Sequence, residues 1–432
     1  MQVPRLECEP INRLAKGDIE MATETYIVVL DPLGVTGNGQ PPGTIDDIGL
    51  KSAGEKLGGT LVETAELTPR EAQAINNDPN MVAAPLMPTR LIVPQVMGAG
   101  GAWSELTAPP AAVAAAAGGN WGVAATKADV SAFDGAGTKI AVLDTGIDST
   151  HSAFSGVTIG EADFTGSGNG DGHGHGTHCA GTILGRDVAG KRIGIARGAT
   201  DLLVGKVLDS SGGGSSEALF KALNWAIGEQ ADVISMSLGF DFPGSIAQSI
   251  ASGLPRELAI SRGLVAYRQN LRAFDAIMAM VKAMAAMNSG AIVVAASGNE
   301  SRAQAPLSYR IDASLPAAAV DVVAVAAASA ANPAGLHGIA SFSNGAVLIT
   351  APGVDIVSAA AGTPNGLAAM SGTSMACPHV AGIAALWWQE RRAAGLASAR
   401  QVGIRLAASA RNTVFMNGLG VFDFGDGMVT AP

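Results

Sequence analysis

A carboxylate, an imidazole and a hydroxyl stand along this chain in the order Asp144, His175, Ser374. They lie within Ala141-Val142-Leu143-Asp144-Thr145-Gly146, His175-Gly176-Thr177-His178 and Gly372-Thr373-Ser374-Met375-Ala376. Three such groups can activate a serine: the imidazole takes the hydroxyl proton, and the carboxylate orients the ring and stabilises its charged form. The chain order separates this set from the His, Asp, Ser and Ser, Asp, His orders that reach the same geometry on other folds. Taken singly, each group has a plainer reading, since Asp-Thr-Gly after a strand is commonly a turn. Asp171, His173, His175 and His178 could also form a zinc ligand set, but that choice leaves Ser374 and Asn299 without a role.

Such groups need elements that bring them to one place. Residues 139–143, 202–208, 233–236, 292–295 and 322–325 are short apolar runs without strict alternation, as expected of parallel strands buried on both faces. Helical stretches at 215–228 and 373–392 lie between or after them, so the predicted fold is α/β, a doubly wound, mainly parallel sheet. Asp144 then sits at a strand's carboxyl end, where such sheets place their sites. His175 opens a helix over 176–184. Ser374 lies at another helix start, where free backbone N–H groups favour developing negative charge.

The phrases VLDTGID, GHGTHCAGT and SGTSMACPHVAG together resemble the subtilase family over residues 120–432. The resemblance implies a subtilisin-like serine endopeptidase that hydrolyses peptide bonds through an acyl-enzyme. Ser374 is then the nucleophile, His175 the general base and later acid, and Asp144 the orienting group. Asn299, in Ala295-Ala296-Ser297-Gly298-Asn299-Glu300, matches the family's oxyanion asparagine, with the Ser374 N–H as second donor. Ser237, Leu238, Gly239, Ala296, Ser297 and Gly298 would wall the primary pocket, with Ala317 opposite and Glu300 at its rim. Gly212, Gly213 and Gly214 would pair with an extended polypeptide substrate. No cofactor and no metal are expected. Ala153 and Val188 stand where calcium-binding relatives supply oxygen ligands, and Arg186, Lys191 and Arg192 crowd the same loop. A peptide ligase would use the same residues, and a catalytically dead scaffold is a further alternative.

Upstream, residues 1–20 read as a tail and 21–94 as a small α+β module. Its strands are expected at 26–30, 60–64 and 90–94 and its helices at 45–57 and from Pro69, where Thr68 and Glu71 suit a capping box. The module resembles the subtilase propeptide through Tyr26-Ile27-Val28-Val29-Leu30 and the Asn76-Asn77-Asp78-Pro79-Asn80 helix end, which implies a built-in inhibitor as partner and autocatalytic cleavage. Residues 95–119 have a Gly/Ala/Pro linker composition. The stretch at about 240–270 is longer than a compact family member needs, and helices are expected at 245–262 and 272–287, the second rich in Met.

Composition narrows the remaining classes. The chain has 432 residues, 48% hydrophobic and 15% charged, with a net charge of −10, which argues against nucleic acid as a partner. No run of eighteen apolar residues suggests a membrane span. The first residues lack a signal-peptide core, so a cytoplasmic location is expected unless a signal has been removed. Cys8, Cys179 and Cys377 are too few for a disulfide scaffold, and the last two each lie one helical turn from a candidate site residue.

Overall fold

The structure is a computed structural model that describes residues 23–30, 61–79, 81–97, 103–105, 119–288, 290–303 and 308–432. The expected tail at 1–20, the helix at 45–57 and Cys8 lie outside the described residues. The N-terminal module contains β1 (Glu24–Leu30), β2 (Leu61–Leu67), α1 (Pro69–Asn76) and β3 (Met81–Pro85). Its antiparallel sheet has the order β2-β1-β3. Thr68 Oγ1 accepts the Glu71 N–H and the Glu71 carboxylate accepts the Thr68 N–H, the reciprocal cap the sequence suggested. Alternation sorts the sheet's two faces. Tyr26 and Val28 pack with Leu67, Ala72 and Ile75 inside the module. Ile27, Val29, Val82 and Ala84 join the core of the main domain instead.

The chain then runs through β4 (Pro88–Leu91) to a short hairpin of β5 (Gln95–Met97) and β6 (Trp103–Glu105). The expected strand at 90–94 thus begins and ends earlier. The expected linker is not uniformly irregular either, because Gln95–Met97 pairs antiparallel with Trp103–Glu105.

The main domain holds α2 (Gly122–Ala125), β7 (Lys139–Asp144), β8 (Thr158–Asp163), α3 (His175–Leu184), β9 (Asp201–Lys206), β10 (Gly213–Ser215), α4 (Ser216–Gly228), β11 (Val233–Met236) and β12 (Leu238–Phe240). It continues with α5 (Phe242–Ala251), α6 (Arg256–Asn288), β13 (Ile292–Ala296), β14 (Val323–Ala328), β15 (Ile349–Pro352), β16 (Ile356–Ala359) and β17 (Leu367–Met370). Three helices end the chain: α7 (Thr373–Ala393), α8 (Ala399–Ser409) and α9 (Val421–Phe424).

Seven of the strands form a parallel sheet in the order β15-β14-β13-β11-β7-β9-β8. The inner strands are covered on both faces, which is why they read as apolar runs. Ile140 and Val142 enter the core shared with α3 and α7. Ala141 and Leu143 enter the opposite core, shared with α4 and α6. The fold is the α/β parallel architecture expected. The edge strand β8 escaped sequence reading because Thr158-Ile159-Gly160-Glu161-Ala162-Asp163 is only half-buried and has almost no apolar run.

The inserted stretch differs from expectation. Instead of two helices at 245–262 and 272–287, α5 is followed by one continuous helix α6 of 33 residues. Gly263 lowers helix propensity locally, but a Cβ there would come within 3.0 Å of Ile246 Cγ1, so the missing side chain lets α5 lie close against α6. Met278 and Met280 are buried, as core methionines. The same helix receives the N-terminal module: the Asn270 side-chain amide donates to the Pro85 carbonyl at 2.8 Å.

Candidate active site

Asp144 closes β7 at the carboxyl edge of the sheet, and His175 opens α3 beside it. They meet because the backbones approach unusually closely. Gly146 has φ +106°, and a Cβ on Gly176 would lie 2.1 Å from the Gly146 carbonyl oxygen. Thr145 and Asp171 fix the join. Thr145 Oγ1 accepts the Gly176 N–H at 2.9 Å and donates to Asp171 Oδ1 at 2.8 Å. Asp171 also accepts the His173 and Gly174 N–H groups and the Thr177 hydroxyl.

His175 Nδ1 lies 2.8 Å from Asp144 Oδ1, with both side chains buried. An ionised carboxylate only accepts, so Nδ1 carries the hydrogen and Nε2 keeps a lone pair. Nε2 has no hydrogen-bond partner among the described residues. The zinc alternative is not assembled. His178 turns away to the Ile356 and Ala368 carbonyls at 3.0 and 3.2 Å, and Asp171 is spent on the loop. His173 stacks edge-on to His175, and burial holds its pKa below the ordinary value, with His175 as the next cause.

Ser374 is buried in the first turn of α7. Its backbone carbonyl accepts from Ser237 Oγ at 3.1 Å and from the Cys179 thiol at 3.4 Å. Cys179 Sγ also lies 3.8 Å from His175 Nδ1, so this thiol links the start of α7 to the imidazole. Burial pushes the Cys179 thiol well up, with Asp144 adding to the effect, and raises Cys377 to about 11. Both are neutral small side chains in the core.

Asn299 follows β13. Its Oδ1 accepts the Thr373 N–H and hydroxyl, each at 3.0 Å, which aims Nδ2 into the groove. Gly298, at φ +116°, makes the turn, and a Cβ there would meet Asn344 Nδ2 at 2.3 Å. Asn344 is the organiser that sequence reading missed. Its Oδ1 accepts the Ser301 N–H at 3.0 Å, and its Nδ2 donates to Ser297 O at 3.1 Å and Glu300 Oε2 at 2.7 Å. In sequence it is part of Ser343-Asn344-Gly345, which reads as an ordinary turn; only the fold brings it under the Ser297–Glu300 loop.

The groove contains the chain itself. Strand β4 lies antiparallel between β10 and β12, with Arg90 opposite both Gly213 and Gly239 and Thr89 opposite Gly214. The Leu91 N–H donates to Gly212 O at 2.8 Å. Ile92 is buried, and a Cβ built on Gly239 would lie 3.6 Å from Ile92 Cγ1, 3.6 Å from Ser314 Oγ and 3.8 Å from the Leu315 carbonyl oxygen. Ala317 is buried nearby in sequence, and Ala296 lies in the core beneath the loop.

Beyond Ile92 the chain is offset. Ser374 Oγ donates to Ile92 O at 3.2 Å, whereas Asn299 Nδ2 donates to Val93 O, the next carbonyl, at 2.9 Å. The Gln95 N–H then bonds Ser371 O at 2.7 Å. Attack on a carbonyl requires one carbonyl to meet both hydroxyl and oxyanion donor, so this segment fills the site out of register by one residue. The bond following Val93 ends on the Pro94 nitrogen, which carries no hydrogen.

Glu300, expected at the pocket rim, pairs with β4. Its Oε1 meets Arg90 Nη2 at 3.3 Å. In the loop where the lack of oxygen ligands argued against calcium, Ala153 and Val188 are buried, and Arg186 donates to the Leu184 and Ala199 carbonyls at 2.9 and 3.0 Å.

A doubly wound sheet that gathers Asp, His and Ser at one end, with an asparagine amide facing the groove, has the layout of an α/β serine hydrolase. The chain belongs to the subtilase family, whose family model matches residues 135–423. It is 37% identical over 267 residues to a cuticle-degrading serine protease of Arthrobotrys oligospora, covering 59% of this chain and 52% of that protein. It is 33% identical over 259 residues to subtilisin E of Bacillus subtilis, covering 59% and 56%, and 35% identical over 296 residues to subtilisin DY of Bacillus licheniformis, covering 67% and 89%. The chain thus spans about half the length of the fungal relative. No described helix is long and apolar enough to cross a membrane.

Proposed function

We propose that the chain is a serine endopeptidase acting on polypeptides through an acyl-enzyme. Ser374 attacks the peptide carbonyl, and His175 Nε2 takes its proton and later returns it to the leaving amine. Asp144 holds the ring through Nδ1 and stabilises its charged form. The Asn299 amide and the Ser374 N–H receive the oxyanion. Substrate adds as a strand between Gly212–Gly214 and Ser237–Gly239, which reads main chain first and side chains through pockets.

One observation carries this reading: the chain's own Thr89–Val93 segment lies in the groove as an added strand, with its carbonyls at Ser374 and Asn299. The N-terminal module therefore serves as inhibitor and first substrate. Tethering gives it a high effective concentration, and relief comes by self-cleavage between Val93 and Gly119. After that cut the module is held through its apolar face, and the groove opens when it leaves. The test is active-site labelling of freshly purified protein. A fluorophosphonate is expected to label Ser374 and stop casein hydrolysis while a chelator leaves it running; inhibition by chelator alone would replace the serine reading with a metal one.

A further inference from the structure

The Arg90 side chain lies between two carboxylates contributed by separate elements. Its Nε is 3.6 Å from Asp241 Oδ1 and its Nη2 is 3.3 Å from Glu300 Oε1. Neither acid depends on Arg90 for its position. Asp241 caps α5 from within the main domain, with Oδ1 accepting the Gly244 N–H at 3.1 Å. Glu300 Oε2 is held by Asn344 Nδ2 at 2.7 Å, which leaves Oε1 directed outward. The nearby cation Arg302 is engaged with the Asn299 and Ser301 carbonyls. A preformed acidic site therefore stays in place when the module leaves.

Arg90 sits two residues before Ile92, whose buried side chain lies beside Gly239 of the expected primary-pocket wall, and it is paired with Gly213 and Gly239 on the same ladder a substrate would use. We infer that Asp241 and Glu300 form a specificity subsite that selects Arg or Lys two residues before the pocket residue of a substrate. This deepens the endopeptidase reading and rests on it for its catalytic consequence. The acids also fasten the inhibitory strand. The pairs are partly exposed, 41% for Arg90 against 26% and 39% for its partners, so each is modest. Two together correspond to a preference of about tenfold that weakens as salt screens it.

Two measurements test this. Internally quenched peptides differing only in Arg, Gln or Glu at that position are given to the processed enzyme. The expected kcat/KM is about tenfold higher for Arg than for Gln at low salt, shrinking at 0.5 M salt. In Asp241→Asn/Glu300→Gln the Arg-to-Gln ratio is expected to collapse to about one. Equal cleavage of all three peptides by the unmodified enzyme overturns the subsite. The second readout needs no catalysis. In full-length Ser374→Ala protein, amide exchange of β4 is expected to rise several-fold with Arg90→Gln, and no further when the two acid variants are added. Additive effects refute the clamp. If coupled exchange appears without hydrolysis of any peptide, the clamp stands and the endopeptidase reading falls.

Discussion

Two buried histidines in the helices that carry the candidate site make stability sensitive to mild acid. His178 lies in α3 and His379 in α7, both fully buried. Burial lowers His178 to about 3, with His175 adding to the effect, and lowers His379 to about 4. In the unfolded chain an imidazole titrates near its ordinary value of roughly 6.5. Between that value and pH 5 the unfolded state binds a proton at each ring and the folded state does not, so stability falls as pH falls. At pH 5 each ring accounts for about 2 kcal/mol, and the pair for about 4 kcal/mol, relative to pH above 7.5. Carboxylates held low by hydrogen bonds, such as Asp163 and Asp209, lose their contribution only near and below roughly pH 4. Urea unfolding of Ser374→Ala protein, which cannot digest itself, at pH 7.5, 6.5 and 5.0 measures the loss. His379→Gln should be less stable at neutral pH yet show about half the acid sensitivity. Equal stability at pH 7.5 and 5.0, or an unchanged pH slope in the variant, would refute the reasoning.

Three further outcomes follow from the site. Asn299→Ala should lower kcat on the order of 100 to 1,000-fold, the size known for the same kind of loss in a member of this family; steady-state kinetics with an unchanged kcat would reassign the oxyanion donor. Because the buried Ile92 side chain lies beside Gly239, a peptide-library digest should favour medium apolar residues such as Leu, Met or Ile before the cut, and a profile dominated by acidic residues would contradict that choice. Cys179 bridges His175 and the Ser374 carbonyl, so mercury loading of that buried thiol should be slow and inhibitory, with Cys179→Ala protein resistant; full activity after confirmed loading of Cys179 would make it a bystander.

Much of this arrangement was legible in the chain. The strands that carry Asp144 and lead to Asn299 are buried on both faces, so their apolar runs located them to within a residue or two. The helix start at His175 was marked by a Gly-rich entry, whereas only Gly372 precedes the one at Ser374. What escaped reading depends on long-range contact. Asn344 braces the Asn299 loop from a turn forty-odd residues away, and no local pattern distinguishes it from a surface turn. Gly263 lies just past the end of the helix expected at 245–262, yet it is a contact point that lets α5 and α6 pack. Strand β4 was foreseen as the last strand of its module, but its neighbours β10 and β12 lie far along the sequence. Consequently neither the offset between Ile92 and Val93 nor the turn of Glu300 toward Arg90 could be seen in it.

The most direct measurement is intact-mass analysis with N-terminal sequencing of the freshly purified full chain beside its Ser374→Ala counterpart. Active protein should appear as two pieces cut between Val93 and Gly119, with the N-terminal piece still associated, while Ser374→Ala remains one uncut chain. A chain that hydrolyses casein at full rate with its amino terminus intact would contradict the inhibitory module. Cleavage at the same junction in pure Ser374→Ala protein would contradict Ser374 as the nucleophile.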